Sequence, residues 1–335
     1  MHDMTRREFI ATTAAAGAAM GWPAFAAELP EWMNSIPIID AHIHLFDGTR
    51  PLGAEYLGSP EYEKRSRQSL PSMYAPLARP TGIVGAIVVE SSSWIDENLW
   101  YLDICRDDPF MVGVCGNLDP SRPDFAKYVD HFAKDPLYRA IRARTARFYN
   151  ADGRRVSLKP DDVVNLKHLA EADLALDTAN PTIALMQANV MLADAVPDLR
   201  IIMDHLPAFD PMPDNQAAYD TVVKEMGAHP NIFVKLSEVY HRREADNVIV
   251  RDYELLRGRL EYLYGIFGED RLMFGSDYPN SYGIATIAEQ VEVMKRFFAT
   301  KTHEQAEKFF WRNSARVYKW RPRTPEQPKA SEQLS

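Results

Sequence analysis

The chain has 335 residues, 46% of them hydrophobic and 25% charged, a balance near the soluble globular average and far from disordered or membrane-spanning chains. A net charge of -9 leaves no broad positive field for a phosphate backbone, which argues against nucleic acid as a partner. Cys105 and Cys115 are the two cysteines; their surroundings, a helical stretch and an apolar run, read as burial of small hydrophobes rather than as a disulfide framework.

The first residues read as an address. Arg6, Arg7 and Phe9 precede a weakly apolar, Ala-rich run over 10–20, and Ala24 and Ala26 give a small-x-small cleavage pattern. The order resembles a twin-arginine export signal over residues 1–26, which implies the twin-arginine translocase as a partner and a periplasmic or secreted mature chain from Ala27. No later run is long and apolar enough to span a bilayer, so no stable membrane insertion is expected after processing.

From there β-branched runs alternate with amphipathic segments, the pattern of repeated βαβ units around a parallel sheet buried on both faces. Strands are predicted over 37–45, 83–90, 111–117, 138–145, 174–178, 199–205, 232–237 and 272–277, and helices over 95–107, 124–134, 161–171, 182–196, 216–228, 253–267 and 284–299. Eight such strands predict an α/β fold, a single (β/α)8 barrel over 27–320, with an extra C-terminal helix over 303–318 and a polar tail over 321–335 that frays. Long connections follow strand one (46–82) and strand six (206–216, with three prolines). Both leave carboxyl ends of strands, the end at which such barrels build their pockets.

Three strand ends carry chemistry. In IIDAHIHLFD, Asp40, His42 and His44 share a face because side chains alternate with period two. In RLMFGSDYPN, Met273, Gly275 and Asp277 share a face and the carboxylate ends at the barrel mouth. LRIIMDHLP ends in His205, with Asp204 expected on the opposite face. Each alone reads equally as a surface pair, a turn aspartate or a core histidine. On strand four Arg142 and Arg144 share a face with Ala140 and would aim guanidinium groups at the pocket for a substrate carboxylate. Lys235 on strand seven and Tyr240 just beyond it are further candidates for substrate contact.

Together, DAHIHLFD, MDHLP and MFGSDYP resemble the motifs of the amidohydrolase superfamily, and FVKLSEV and NSARVYKW resemble its lactonase-like branch. The resemblance runs from Ile36 to Trp320 and implies a barrel enzyme with His42, His44 and Asp277 as ligands of a metal ion. It departs from superfamily members with a bridging lysine or glutamate on strand four and a histidine on strand five: strand four here offers arginines, and strand five ends in Asp177 and Thr178. One divalent ion, zinc, is therefore expected rather than two, and a metal-free site with histidines as hydrogen-bond donors is the alternative.

The reaction implied is hydrolysis of a lactone of a sugar acid or dicarboxylic acid, with Asp277 as base and His205 stabilising the oxyanion or orienting water. The alternatives are a metal-dependent decarboxylase of an aromatic or unsaturated acid, whose relatives hold the ion with a further histidine, and a sugar-acid binding protein, which would not require a base beside polarising groups.

Overall fold

The eight apolar runs all become parallel strands in the computed structural model, which describes residues 29–51, 53, 62, 64–143, 148–152, 155–243 and 248–329. The barrel strands are β1 (Ile38–His44), β2 (Ile83–Val89), β3 (Met111–Asn117), β4 (Tyr138–Arg142), β5 (Ala175–Thr178), β6 (Ile201–Met203), β7 (Ile232–Leu236) and β8 (Leu272–Phe274), each paired with the next in chain order. Their residues are buried almost without exception, which is why they read as continuous apolar runs rather than as alternation. The last strand returns to the first: the Asp277 amide donates to the His42 carbonyl at 2.9 Å, and the His44 amide donates to the Tyr278 carbonyl at 2.6 Å. These bonds join the β8 end to β1 and leave little open edge, as expected of a (β/α)8 barrel.

Between the strands run α1 (Pro71–Ala78), α2 (Glu97–Asp107), α3 (Phe125–Phe132), α4 (Pro160–Glu171), α5 (Ile183–Ala195), α6 (Gln216–Ala228), α7 (Tyr253–Phe267) and α8 (Ile287–Phe298). Local chemistry sets several starts. Asp252 accepts from the amides of Glu254 and Leu255 ahead of α7, and Thr286 forms a reciprocal capping box with Glu289 ahead of α8. After the barrel come α9 (His303–Glu307), a π-helical turn (Lys308–Arg312) and α10 (Asn313–Tyr318), so the single helix expected over 303–318 is interrupted. Among the described residues no helix is long and apolar enough to cross a membrane.

Four expectations change. The connection after β1 is not all loop: it contains α1, and its Phe46–Asp47 segment pairs antiparallel with Gln68–Ser69. A second antiparallel pair, Tyr149–Asp152 with Arg155–Leu158, follows β4 and was not anticipated. Strands β6 and β8 end earlier than the sequence predicts, at Met203 and Phe274. The tail does not fray immediately. Arg323 donates to the carbonyls of Arg106, Asp108, Met111 and Cys105, and buried Gln327 donates to Val84 and Pro109. Cys105 and Cys115 are buried free thiols. The predicted export signal (1–26), Arg144 and residues 330–335 lie outside the described residues.

Removing the Arg323 guanidinium leaves four backbone carbonyls without that donor. Arg323→Ala should therefore cost about 1–3 kcal/mol in urea unfolding while leaving catalytic constants unchanged; an unaltered unfolding midpoint would show that the tail is not held.

Candidate active site

At the carboxyl end of the barrel, β1 turns His42 and His44 to the interior together, because two residues apart on a strand means one face. Their Nε2 atoms lie 3.3 Å apart. Asp277 Oδ1 sits 3.4 Å from His42 Nε2 and 3.1 Å from His44 Nε2, and His205 Nε2 is 3.9 Å from the same oxygen. Such closeness requires a small neighbour on β8's extension: a Cβ added to Gly275 would lie 2.8 Å from the His42 Cβ.

His205, Glu238 and Asp277 follow the ends of β6, β7 and β8, and each adopts left-handed backbone, with φ of 57°, 52° and 54°. A residue other than glycine in this region carries a conformational cost of about 1–3 kcal/mol, sustained by the surrounding packing. The left-handed step also breaks the period-two alternation. Asp204, expected to point away from His205, instead places Oδ1 3.6 Å from His42 Nδ1, while the His205 ring centroid lies 4.5 Å from that of His42. Asp204 and Glu238 are functional candidates that strand geometry alone missed.

Beneath the histidines lies a layer of buried charge. Lys235 Nζ is 2.6 Å from Asp177 Oδ2, 3.1 Å from Asp204 Oδ1 and 3.3 Å from His42 Nδ1. Arg142 Nε donates to Glu90 Oε1 at 2.7 Å and Nη2 donates to the Glu90 carbonyl at 2.7 Å, while Nη1 faces His42 Nε2 at 3.4 Å. The outer nitrogens of the histidines are fixed too: His44 Nδ1 meets the Val89 carbonyl at 3.0 Å, which requires Nδ1 to carry the proton, and His205 Nδ1 meets Ser237 Oγ at 2.8 Å.

These surroundings set protonation. Burial, with the Lys235 ammonium beside the ring, holds His42 well below the usual histidine range, so its imidazole is neutral. Burial pushes Asp40 up to about 6 despite the bonds it accepts from Tyr74, Ser276 and the His42 amide. Burial likewise raises Asp177 to about 6; Asp204 is equally buried, yet the Lys235 ammonium keeps it well below the carboxylate range. Glu238 is pushed up to about 7 by burial, with Asp277 beside it adding to the rise.

A divalent ion fits this donor set. Tetrahedral bonds of about 2.0–2.2 Å place ligand atoms about 3.3–3.6 Å apart, and the His42, His44 and Asp277 atoms lie 3.1–3.4 Å apart. Asp277 Oδ1 is buried without a hydrogen-bond donor, the condition of an oxygen that a cation would satisfy. His42, Asp204 and His205, and His205, Glu238 and Asp277, form two further groups of three, each close enough together to hold an ion.

Of the residues predicted from sequence, His42, His44, His205 and Asp277 converge as described. Arg142 reaches the cluster, but Glu90 engages its Nε and Nη2 while Nη1 faces His42 Nε2, so the two-nitrogen fork expected for a substrate carboxylate is turned onto Glu90. Lys235 was expected to touch substrate; it is instead fully buried beneath His42, consumed by Asp177 and Asp204. Tyr240 is buried just beyond β7, with the Arg251 guanidinium 5.6 Å from its ring centroid.

A family model described as amidohydrolase matches residues 39–320. The chain is 28% identical over 247 residues to an L-fucono-1,5-lactonase of Burkholderia ambifaria, an alignment covering 72% of this chain and 80% of that one. In fold it is similar to an amidohydrolase from Burkholderia multivorans solved with bound zinc, with a TM-score of 0.70 and 19% identity over 85% of this chain and 100% of that one. It is also similar to a 5-carboxyvanillate decarboxylase from Novosphingobium aromaticivorans solved with manganese, with a TM-score of 0.61, 16% identity, and coverage of 85% and 97%.

The raised Glu238 gives a pH dependence of definite sign. Between its usual 4.5 and about 7, the folded chain binds more protons than the unfolded chain, so stability falls as pH rises through that interval. In chelator-treated protein, the melting temperature of the wild type should drop from about pH 5 to about pH 8 more steeply than that of Glu238→Gln. Parallel profiles would mean that Glu238 is not held protonated.

Proposed function

Because the chain belongs to the amidohydrolase family, we propose that it opens a lactone, the cyclic ester of a sugar acid or dicarboxylic acid, by attack of water at the barrel mouth. The observation that carries this reading is Asp277 Oδ1, buried without a donor beside the Nε2 atoms of His42 and His44: a base next to two polarising groups. Similarity to an L-fucono-1,5-lactonase supports the same substrate class. The decarboxylase neighbour, at 16% identity, contributes the fold alone.

Asp277 Oδ1 accepts a proton from water as the water oxygen adds to the ring carbonyl carbon. Asn280 holds the other oxygen, donating from Nδ2 to Asp277 Oδ2 at 2.8 Å, so the carboxylate presents one oxygen inward. His205, braced by Ser237, orients the water. Arg142 Nη1 brings permanent positive charge beside His42, where the oxyanion develops. Cleavage of the ring C–O bond releases an alkoxide, which takes the proton from Asp277 and leaves a hydroxy acid. His42, His44 and Asp277 would hold one divalent ion, zinc in this reading, which when bound polarises the ester carbonyl. We further propose that residues 1–26 export the chain; changing Arg6 and Arg7 to Lys should retain the protein in the cytoplasm, and unchanged export would refute the assignment.

Acid release from L-fucono-1,5-lactone, other sugar lactones and dicarboxylate lactones, with and without chelation, tests the activity directly. Asp277→Asn should lower kcat by about 100-fold to 10,000-fold with the circular dichroism spectrum unchanged. Elemental analysis should find no more than one equivalent of metal. Retained turnover in Asp277→Asn would overturn the assignment of the base, and two tightly held equivalents would overturn the single-ion site.

A further inference from the structure

An ammonium with no solvent exposure must have its donors met inside the protein. Lys235 Nζ donates to Asp177 Oδ2 at 2.6 Å, forms an ion pair with Asp204 Oδ1 at 3.1 Å and lies 3.3 Å behind His42 Nδ1. The position of Nζ therefore determines how the His42 ring is held from behind. Asp177 is itself steered from a distant part of the chain. The Tyr318 hydroxyl, on α10, lies 2.8 Å from both of its carboxylate oxygens, and the Tyr318 ring is 5.3 Å from Lys235 Nζ.

Hydroxyl, carboxylate, ammonium and imidazole thus form one buried chain from the helix after the barrel to a histidine of the site. Without the hydroxyl, the Asp177 carboxylate would be free to turn more fully onto Lys235 and draw Nζ away from His42. A shift of that kind matters because misplacement by about 1 Å at a reacting centre costs about 100-fold in rate.

We propose that Tyr318 is a positioning residue for His42, acting through Asp177 and Lys235, so that the helix following the barrel belongs to the catalytic apparatus. Its kinetic test rests on the lactonase reading; its spectroscopic test does not.

Tyr318→Phe removes the hydroxyl and keeps the ring. In the full chain it should lower kcat on the lactone about tenfold with KM within about twofold, and shift the His42 ring nitrogen resonances of 15N-histidine-labelled protein without substrate. Trp320→Phe is the control: it removes the indole N–H that bonds Ser314 in the same terminal segment, with no link to Asp177, and should change neither. In a Lys235→Met background, Tyr318→Phe should lower kcat no further. The proposal is overturned by a Tyr318→Phe variant with wild-type kcat and unmoved His42 resonances, or by equal effects from Trp320→Phe. If the wild type turns over no lactone, the functional reading fails separately and the ring resonances decide the positioning role alone. If Lys235→Met does not fold, comparison of the Tyr318 and Trp320 variants still decides it.

Discussion

Buried charge at one end of the barrel is the constraint on which this site is built. Asp40, Glu90, Asp177, Asp204 and Asp277 are all fully enclosed, and an isolated carboxylate in such a place would be neutralised or expelled. Two fixed cations answer part of the load. Lys235 serves Asp177 and Asp204, and Arg142 serves Glu90. Asp40 is met by two backbone amides and the Tyr74 hydroxyl, and burial raises it toward its neutral form. Asp277 Oδ1, like the oxygens of Asp204, is buried without a hydrogen bond, and it lies within 3.9 Å of three imidazoles, where a cation or a transferred proton has a place.

The same residues close the fold. The His42 carbonyl and the Asp277 amide form one of the bonds that join the end of β8 to β1, so the backbone contact that completes the barrel also sets the distance between the His42 ring and the Asp277 carboxylate. Gly275 lets the two chains approach that closely. Structure and chemistry share atoms here, and the left-handed residues at 205, 238 and 277 are the local cost of aiming three side chains inward from successive strand ends.

The layering separates tasks. The histidines and Asp277 form the upper layer, to which the proposed ester chemistry is assigned; Lys235, Asp177, Asp204 and Tyr318 form a lower layer packed behind it. Metal sites and catalytic dyads generally depend on such supporting contacts for orientation and ligand basicity. Arg142 spans both layers, since Glu90 fixes two of its nitrogens while the third reaches His42.

Period and composition alone determined the alternation of strand and helix, because strands buried on both faces read as uninterrupted apolar runs and the segments between them carry helical periodicity, with side-chain caps at Thr182, Asp252 and Thr286. The His42–His44 pair was legible for the same reason: a strand's period of two puts both rings on one face. Beyond the strand ends that periodicity fails. Asp204 was assigned to the wrong face and Glu238 was missed, because one left-handed residue redirects a side chain and nothing in the local pattern announces it. Lys235 was legible as an inward residue, but its partners lie on other strands, 58 residues away in Asp177 and 31 in Asp204, so only the closed barrel could decide whether it met substrate or carboxylates. Tyr318, 141 residues from Asp177, is the extreme case: a tyrosine in an amphipathic helix carries no sign of what its hydroxyl will touch until packing brings that helix against the barrel.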